Sequence, residues 1–404
     1  MRHETPDSFG APTVTLSLPE RFAATETSMA EVNIERAYPI RTALLALVAR
    51  QHCFYYGPPG VAKSHLVRTL HAHIEGMSRS DWFERLLTPF MTDADLFGGI
   101  DMAALDRSVH RRRTDNTLAT ARIAFLDEIF KASGPLLNTL LKAINEREFD
   151  NDVVEQLPLW SLFCASNEFA QEAGLAALAD RLAFWHVIRP ISDSTNFVRM
   201  LQLDNAAPIQ PTLSVADIEA AQAEASSIEV DRDVYAAIDA LRHDLRNEGI
   251  EHSDRRFKSL IPVIRATAWM RRSPTASVDD MAYTRFMLWR RPEEIPTVDT
   301  LVLQLASPLE AEAVRLGNER IEPLVVEVTK LLDNRNELTL PQRQRQSINL
   351  HRQLAAAAED VTSLANRLTS RGGQSARIHE LRQSLKTITD RLLQEMFEIQ
   401  RESP

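Results

Sequence analysis

The chain has only two cysteines in 404 residues, Cys53 and Cys164, and both sit inside apolar runs, HCFYY and LFCAS. That excludes a disulfide framework and points to two buried thiols in a reducing compartment. No run of about 18 or more apolar residues occurs, so no membrane-spanning helix is expected. The N-terminus, MRHETPDSFGAPTVTLSLPERF, lacks the apolar core of a secretion signal. It reads as a loosely ordered tail over 1–28, and the expected location is cytoplasmic. Lysine is scarce, and the formal net charge is −10 with a pI near 5.6. That balance speaks against broad binding to nucleic acid or to anionic membranes. No set of His, Cys and acidic residues has zinc spacing. The HAH at 71–73 puts its two histidines on different helix faces, and no Ser/His/Asp nucleophile pattern stands out. What remains is the composition of a soluble globular protein, 44% hydrophobic and 25% charged.

Short apolar runs alternate with helical patterns through the first half. HCFYY (52–56), IAFLD (123–127) and WSLFCAS (160–166) read as buried strands, with helices at 62–74 and 134–146 between them. Strands alternating with helices imply an α/β domain built on a parallel sheet, assigned to 29–192. From 194 to 290 no strand signal appears. Val234, Ile238, Leu241 and Leu245 recur at helical spacing, and so do Phe257, Leu260, Ile261, Ile264 and Ala268. Ser277, three residues before Asp280, marks a helix start. An all-helical lid over 193–295 is expected. Beyond it, Leu354, Ala357, Val361, Leu364 and Leu368 form one heptad seam. Ile378, Leu381, Leu385, Ile388, Leu392 and Ile399 form a second, after the turn Arg371-Gly372-Gly373. These predict a long-helix hairpin within 296–404, with a third helix at about 308–336 alongside. Standing apart from the sheet, it reads as a docking arm.

Chemistry concentrates in five short stretches. GPPGVAKS (57–64) lies between a strand and a helix, the setting of a phosphate-binding loop. Gly57 and Gly60 allow tight turns, and Pro58, Pro59, Val61 and Ala62 complete the loop. Its N–H groups and the helix N-terminus make an anion nest. Lys63 supplies a charge to the β- and γ-phosphates, and Ser64 is placed to ligate Mg²⁺. A glycine normally precedes this lysine. Ala62 is acceptable there if the backbone already has negative φ. The strand 123–127 ends in Asp127 and Glu128, suited to holding Mg²⁺ and to polarising the attacking water. FCASNE (163–168) delivers Asn167, which can orient that water or simply cap the next helix. LADRLAF (178–184) carries Arg181, fit either for insertion into a neighbour's site or for a surface ion pair. In HSDRRFKSLI (252–261) Arg255 stands in the first turn of a helix, an unfavourable place for a cation, so a role reaching to the phosphates is expected.

Taken in this order, GPPGVAKS, FLDEIFKASGPLLNTLLKAINEREF, CASNE, LADRL and SDRRFKSLI resemble the AAA+ ATPases. More narrowly they resemble the MoxR group and its RavA branch, across about 30–290. Alanine before the lysine is habitual in that branch. The resemblance implies a P-loop sheet domain with a helical lid, ATP/ADP and Mg²⁺ as ligands, and chaperone-like remodelling by a hexameric ring. A partner with a von Willebrand factor A domain is implied as well. It further implies a β-hairpin inserted at about 98–120, carrying His110-Arg111-Arg112-Arg113 either toward a central pore or at a solvated tip. A second hairpin is implied at 149–160. The β-rich insertion of the best-known RavA tail has no counterpart after 305. Two other functions stay open: a nucleic-acid motor using Arg111–Arg113, and an assembly protein that uses nucleotide only to stabilise a ring.

Overall fold

The computed structural model describes residues 16–168, 177–178, 180–203, 209–334, 338–369 and 376–402. Five parallel strands form the main sheet in the order β2-β3-β6-β1-β7. They are β1 (Cys53–Tyr56), β2 (Trp82–Leu86), β3 (Ile123–Asp127), β6 (Ser161–Ser166) and β7 (Phe184–Val187). The central strands are apolar in their interiors because helices cover both faces; all six residues of β6 are buried, its end serines Ser161 and Ser166 included. Strand β2 lies at one edge, and the adjacent charges Glu84 and Arg85 interrupt its WFERL, of which only Phe83 is buried, so it carries no apolar run. The pairing Phe54↔Cys164 puts Cys53 and Cys164 on opposite faces of the sheet, and both are free thiols.

The first helix, α1, spans Leu18–Val32, so the expected tail is too long. Ser17 and Glu20 form a capping box around Pro19 that starts this helix, and Phe22 and Met29 are fully buried. Helix α2 (Ala37–Ala49) is apolar nearly all round and lies under the sheet. Helix α3 (Lys63–Ala72) follows β1, and α4 (Gly134–Glu146) precedes the hairpin of β4 (Glu148–Asn151) and β5 (Val153–Gln156). The 149–160 hairpin is therefore present, but the one expected at 98–120 is not. There a single antiparallel bridge joins Ile100 to Arg112. Asp101 caps a one-turn helix at Met102–Leu105, which diverts the chain. Arg112 is held by Asp93 at 2.6 Å and by the Gly98 carbonyl at 3.1 Å.

The lid comprises α5 (Ser194–Gln202), α6 (Val215–Ser227), α7 (Arg232–Asn247), α8 (Asp254–Lys258), α9 (Leu260–Met270), a 3₁₀ stretch (Val278–Met287) and α10 (Ile295–Ala306). Its boundary lies beyond 295, because Val298, Val302 and Ala306 of α10 are buried in the same core as the lid. Two-residue strand pairs also occur where no strand was expected, Leu213–Ser214 with Ile74–Glu75 and Glu229–Val230 with Thr275–Ala276. They are too short to leave a sequence pattern.

Beyond the lid, α11 (Pro308–Leu316) and α12 (Glu322–Asp333), joined by a π turn at Gly317–Ile321, pack against the antiparallel pair α13 (Leu340–Thr369) and α14 (Ala376–Glu402). This bundle has its own core, containing Leu354, Val361, Leu385 and Leu392. The Arg371–Gly373 turn lies outside the described residues. The bundle does not stand apart from the sheet domain. Tyr38 donates its hydroxyl to Glu310 at 3.0 Å, and Thr387 donates to Asp193 at 2.7 Å.

Two buried histidines make the core sensitive to acid. His52 Nδ1 accepts the Leu162 N–H at 3.0 Å, so that nitrogen is unprotonated, and His186 Nε2 meets Thr42 Oγ1 at 2.7 Å. Burial pushes both down to about 3, with nearby arginines adding repulsion. Unfolded, each would take up a proton near pH 6.5. The folded pKa lies below the unfolded one, so this stability is complete above about pH 6.5 and is lost as the pH falls toward 3. Urea unfolding should show about 2–3 kcal/mol less stability at pH 5.5 than at pH 7. A flat profile across that interval would mean that the rings are already charged or exposed.

Candidate nucleotide site

The loop after β1 is shaped by close approach. A Cβ on Gly57 would lie 2.2 Å from the Ile188 carbonyl oxygen, and Gly60 has φ +81. Val61 is buried and anchors the loop, whereas Pro58, Pro59 and Gly60 are exposed to whatever binds there. Ala62 has φ 66 and ψ 29, in the left-handed region, contrary to the negative φ expected for it. A methyl group there costs on the order of 1–2 kcal/mol, which gives the physical reason why glycine is the usual occupant. Lys63 and Ser64 open α3, with Lys63 buried and Ser64 half-buried.

Lys63 Nζ donates to the carbonyls of Gly57 at 2.5 Å and Pro58 at 3.1 Å, and to Asn167 Oδ1 at 2.7 Å. Burial lowers its pKa, while Asp127 and Glu128 pull the other way. Asp127 ends β3 and accepts the Glu128 N–H at 3.0 Å. Glu128 follows with φ 54, a strained value that turns its carboxylate back over the ends of the strands. Its Oε1 accepts from Asn167 Nδ2 at 2.6 Å, and its Oε2 lies 3.5 Å from Lys131 Nζ. Asn167 follows β6, between β3 and β1 in the sheet, so one amide spans the gap from base to lysine. Its oxygen faces the ammonium and its nitrogen faces the carboxylate, the orientation that the two charges require. Lys131 was not anticipated; its signal was a cation three residues past Glu128, at the end of a short 3₁₀ turn.

Those residues suit a magnesium nucleotide. Lys63 is a buried cation held by neutral oxygens, and Ser64 and Asp127 offer hard oxygen donors. Glu128 Oε2 is buried without a hydrogen-bond partner. Among the described residues no group of three or more His, Cys, Asp or Glu could hold a metal alone. Mg²⁺ is held by one or two protein groups, which Ser64 and Asp127 would supply here, together with phosphates and water.

The two arginines sit elsewhere. Arg181 precedes β7, whereas the loop and both acids lie past the C-terminal ends of parallel strands. The four residues of β7 put about 13 Å between these two edges. Arg181 Nη1 donates to the Ala177 carbonyl at 2.5 Å, and its Nε is buried without a hydrogen-bond partner. Burial lowers its pKa, and the charge of Arg255 lowers it further. The lid is clamped to this edge. Ser253 donates to the Asp180 carboxylate at 2.9 and 3.0 Å while capping α8. The guanidinium of Arg256, pushed down to about 10 by burial, donates to the carbonyls of Leu182 at 2.6 Å and Ala183 at 3.2 Å. Arg255 stands exposed, close enough to Arg181 for its charge to act there.

Comparison with known proteins agrees with this architecture. Residues 20–225 match the model of the MoxR domain in the MoxR-vWA-beta-propeller ternary systems, and 233–302 match an AAA lid domain. An uncharacterized protein of Methanocaldococcus jannaschii is 34% identical over 307 residues, covering 76% of this chain and 81% of that protein. A second from the same organism is 35% identical over 276 residues, covering 68% and 71%. A structural protein of Acidianus two-tailed virus matches at 33% over 136 residues, 32% of this chain and 22% of its own length. A solved structure of a candidate ATPase from Cytophaga hutchinsonii superposes with a TM-score of 0.58 over 71% of this chain and 94% of its own, at 17% identity, a likeness of fold. With a family match across half its length, on a sheet, loop and lid of the matching kind, the chain belongs to the MoxR family of AAA+ ATPases.

Proposed function

We propose that this protein hydrolyses ATP as a hexameric ring and uses the cycle to remodel a protein partner bearing a von Willebrand factor A domain. The observation that carries the reading is the single Asn167 amide shared by Lys63 and Glu128. Phosphate arriving at Lys63 competes for the ammonium that now rests on Asn167. Releasing that contact frees the amide to turn, and with it the Glu128 carboxylate, which then accepts a proton from the attacking water. Binding and arming of the base thus pass through one side chain. Mg²⁺, when bound by Ser64 and Asp127, would neutralise charge on the phosphate oxygens.

The ring is supported by the placement of the two arginines. Arg181 stands at the opposite end of β7 from the phosphate loop, with the charge of Arg255 close by. Presented together to a neighbour, they offer two cations to its γ-phosphate. The partner class is supported by the family match to MoxR proteins of vWA-containing systems. Ala62 supports the RavA-like branch. The motor reading loses ground, because Arg112 is spent on Asp93 and Gly98 and leaves a split basic run. Among the described residues no helix is long and apolar enough to cross a membrane, and we assign a cytoplasmic location.

Two outcomes are expected. Glu128→Gln should bind ATP as wild type does and lose turnover, whereas Lys63→Ala should lose binding; a Glu128→Gln enzyme with ordinary turnover would remove Glu128 from the role of base. Arg181→Ala and Arg255→Ala should each bind ATP normally and hydrolyse it slowly, by about 10³-fold or more for a residue acting as an arginine finger. Mixed with Lys63→Ala subunits after confirmed ring reassembly, each should regain part of its activity. Failure of Arg255→Ala to be rescued, with Arg181→Ala rescued, would return Arg255 to its own subunit.

A further inference from the structure

We propose that the turn at Glu35–Arg36 couples the phosphate loop to the C-terminal bundle, so that nucleotide occupancy and loading of the bundle alter one another. The inference rests on the nucleotide reading of the loop. The turn joins α1 to α2, and Glu35 holds φ 58, a region that a non-glycine residue keeps only where its surroundings fix it. What fixes it is visible on both sides.

On one side Arg36 reaches the loop. Its guanidinium is buried and donates to three carbonyls, those of Glu35 at 2.9 Å, Arg189 at 2.7 Å and Val61 at 3.4 Å. Val61 lies in the phosphate loop two residues before Lys63, and Arg189 follows the end of β7. A buried cation satisfied by carbonyls alone is a costly arrangement. Here it ties the floor of the loop to the chain leaving the sheet.

On the other side Glu35 holds the connector between sheet and lid. Its carboxylate accepts from Ser192 N at 2.9 Å, Ser192 Oγ at 3.1 Å, Asp193 N at 3.1 Å and Asn196 Nδ2 at 3.1 Å. Asp193 caps α5 through the Asn196 N–H at 2.8 Å, and its second oxygen receives the Thr387 hydroxyl from α14 of the bundle. A second fastening comes from the far side of the turn. Tyr38, two residues past Arg36, donates to Glu310 of α11. The buried Arg285 of the lid lies 4.7 Å over the Tyr38 ring and 3.5 Å from the same Glu310. The turn is thus bracketed by two bundle contacts while it holds the loop from below. Displacement of Val61 by phosphate would be felt at Thr387 and Glu310, and linkage requires the reverse effect to be equal.

A double-mutant cycle on the full chain tests this, with a fluorescent ADP analogue as probe. Thr387→Val removes the bundle's hydroxyl, and Glu35→Gln weakens the carboxylate's hold on the connector. Each should change the dissociation constant by about 5-fold or more. The double variant should change it no further than the larger single, since both cut one path. Thr329→Val, which removes a hydroxyl bonded only within α12 to the Val325 carbonyl, should leave affinity unchanged. In wild type the analogue should also alter hydrogen exchange across 376–402, and in Glu35→Gln it should not. If wild type fails to bind the analogue, the nucleotide reading falls and this inference falls with it. If wild type binds but the two variants stay within twofold of it, multiply independently, or are matched by Thr329→Val, the coupling alone is overturned.

Discussion

The amide of Asn167 is the constraint around which the site is organised. It sits between a buried ammonium and a buried carboxylate and offers each the end that its charge requires. Neither charge could remain in that position unsolvated without such a partner. The sheet order makes the arrangement feasible, because β6 lies between β1, which launches the loop, and β3, which ends in the two acids. Ladder hydrogen bonds hold the three strands in register up to the points from which the loop, Asn167 and Glu128 depart.

At the other end of the sheet a different kind of constraint operates. Asp180, Ser253 and Arg256 attach the lid to the segment ahead of β7, and Trp289 of the lid packs edge-on against Trp185 of that strand. The lid is therefore held by the edge that carries Arg181, and Arg255 goes with it. Our ring proposal draws on this placement and offers the two cations to a neighbour's site. The bundle adds a third attachment, at Tyr38 and Asp193, on the side of the sheet where the loop lies.

Much of this was legible in the sequence, for physical reasons. Strands β1, β3 and β6 read as apolar runs because both of their faces are covered, and the residues at their ends then stood out as polar groups in costly positions. Strand β2 was not legible because, at the sheet edge, it carries the charged pair Glu84-Arg85 in place of an apolar run. Helix α1 was masked by its polarity, although Ser17-Leu18-Pro19-Glu20 carried the cap that starts it. The heptad seams located α13 and α14, but not the reason for their register. Glu395 occupies a buried seam position and pairs with Arg343 at 2.6 Å, a bond that a shift along the helices would break. The left-handed φ of Ala62 depends on loop strain and the company of Arg255 on contacts more than seventy residues away in the chain, and no local pattern encodes either.

The central claim is that one amide joins nucleotide binding to activation of water. Asn167→Ala separates the two, since it keeps Lys63 and Glu128, admits water to each in place of the amide, and removes the link. Single-turnover hydrolysis measured alongside ATP affinity should show binding within a few-fold of wild type and a hydrolysis step slowed by about 10²-fold or more. Ordinary hydrolysis by a well-folded Asn167→Ala protein would contradict the account.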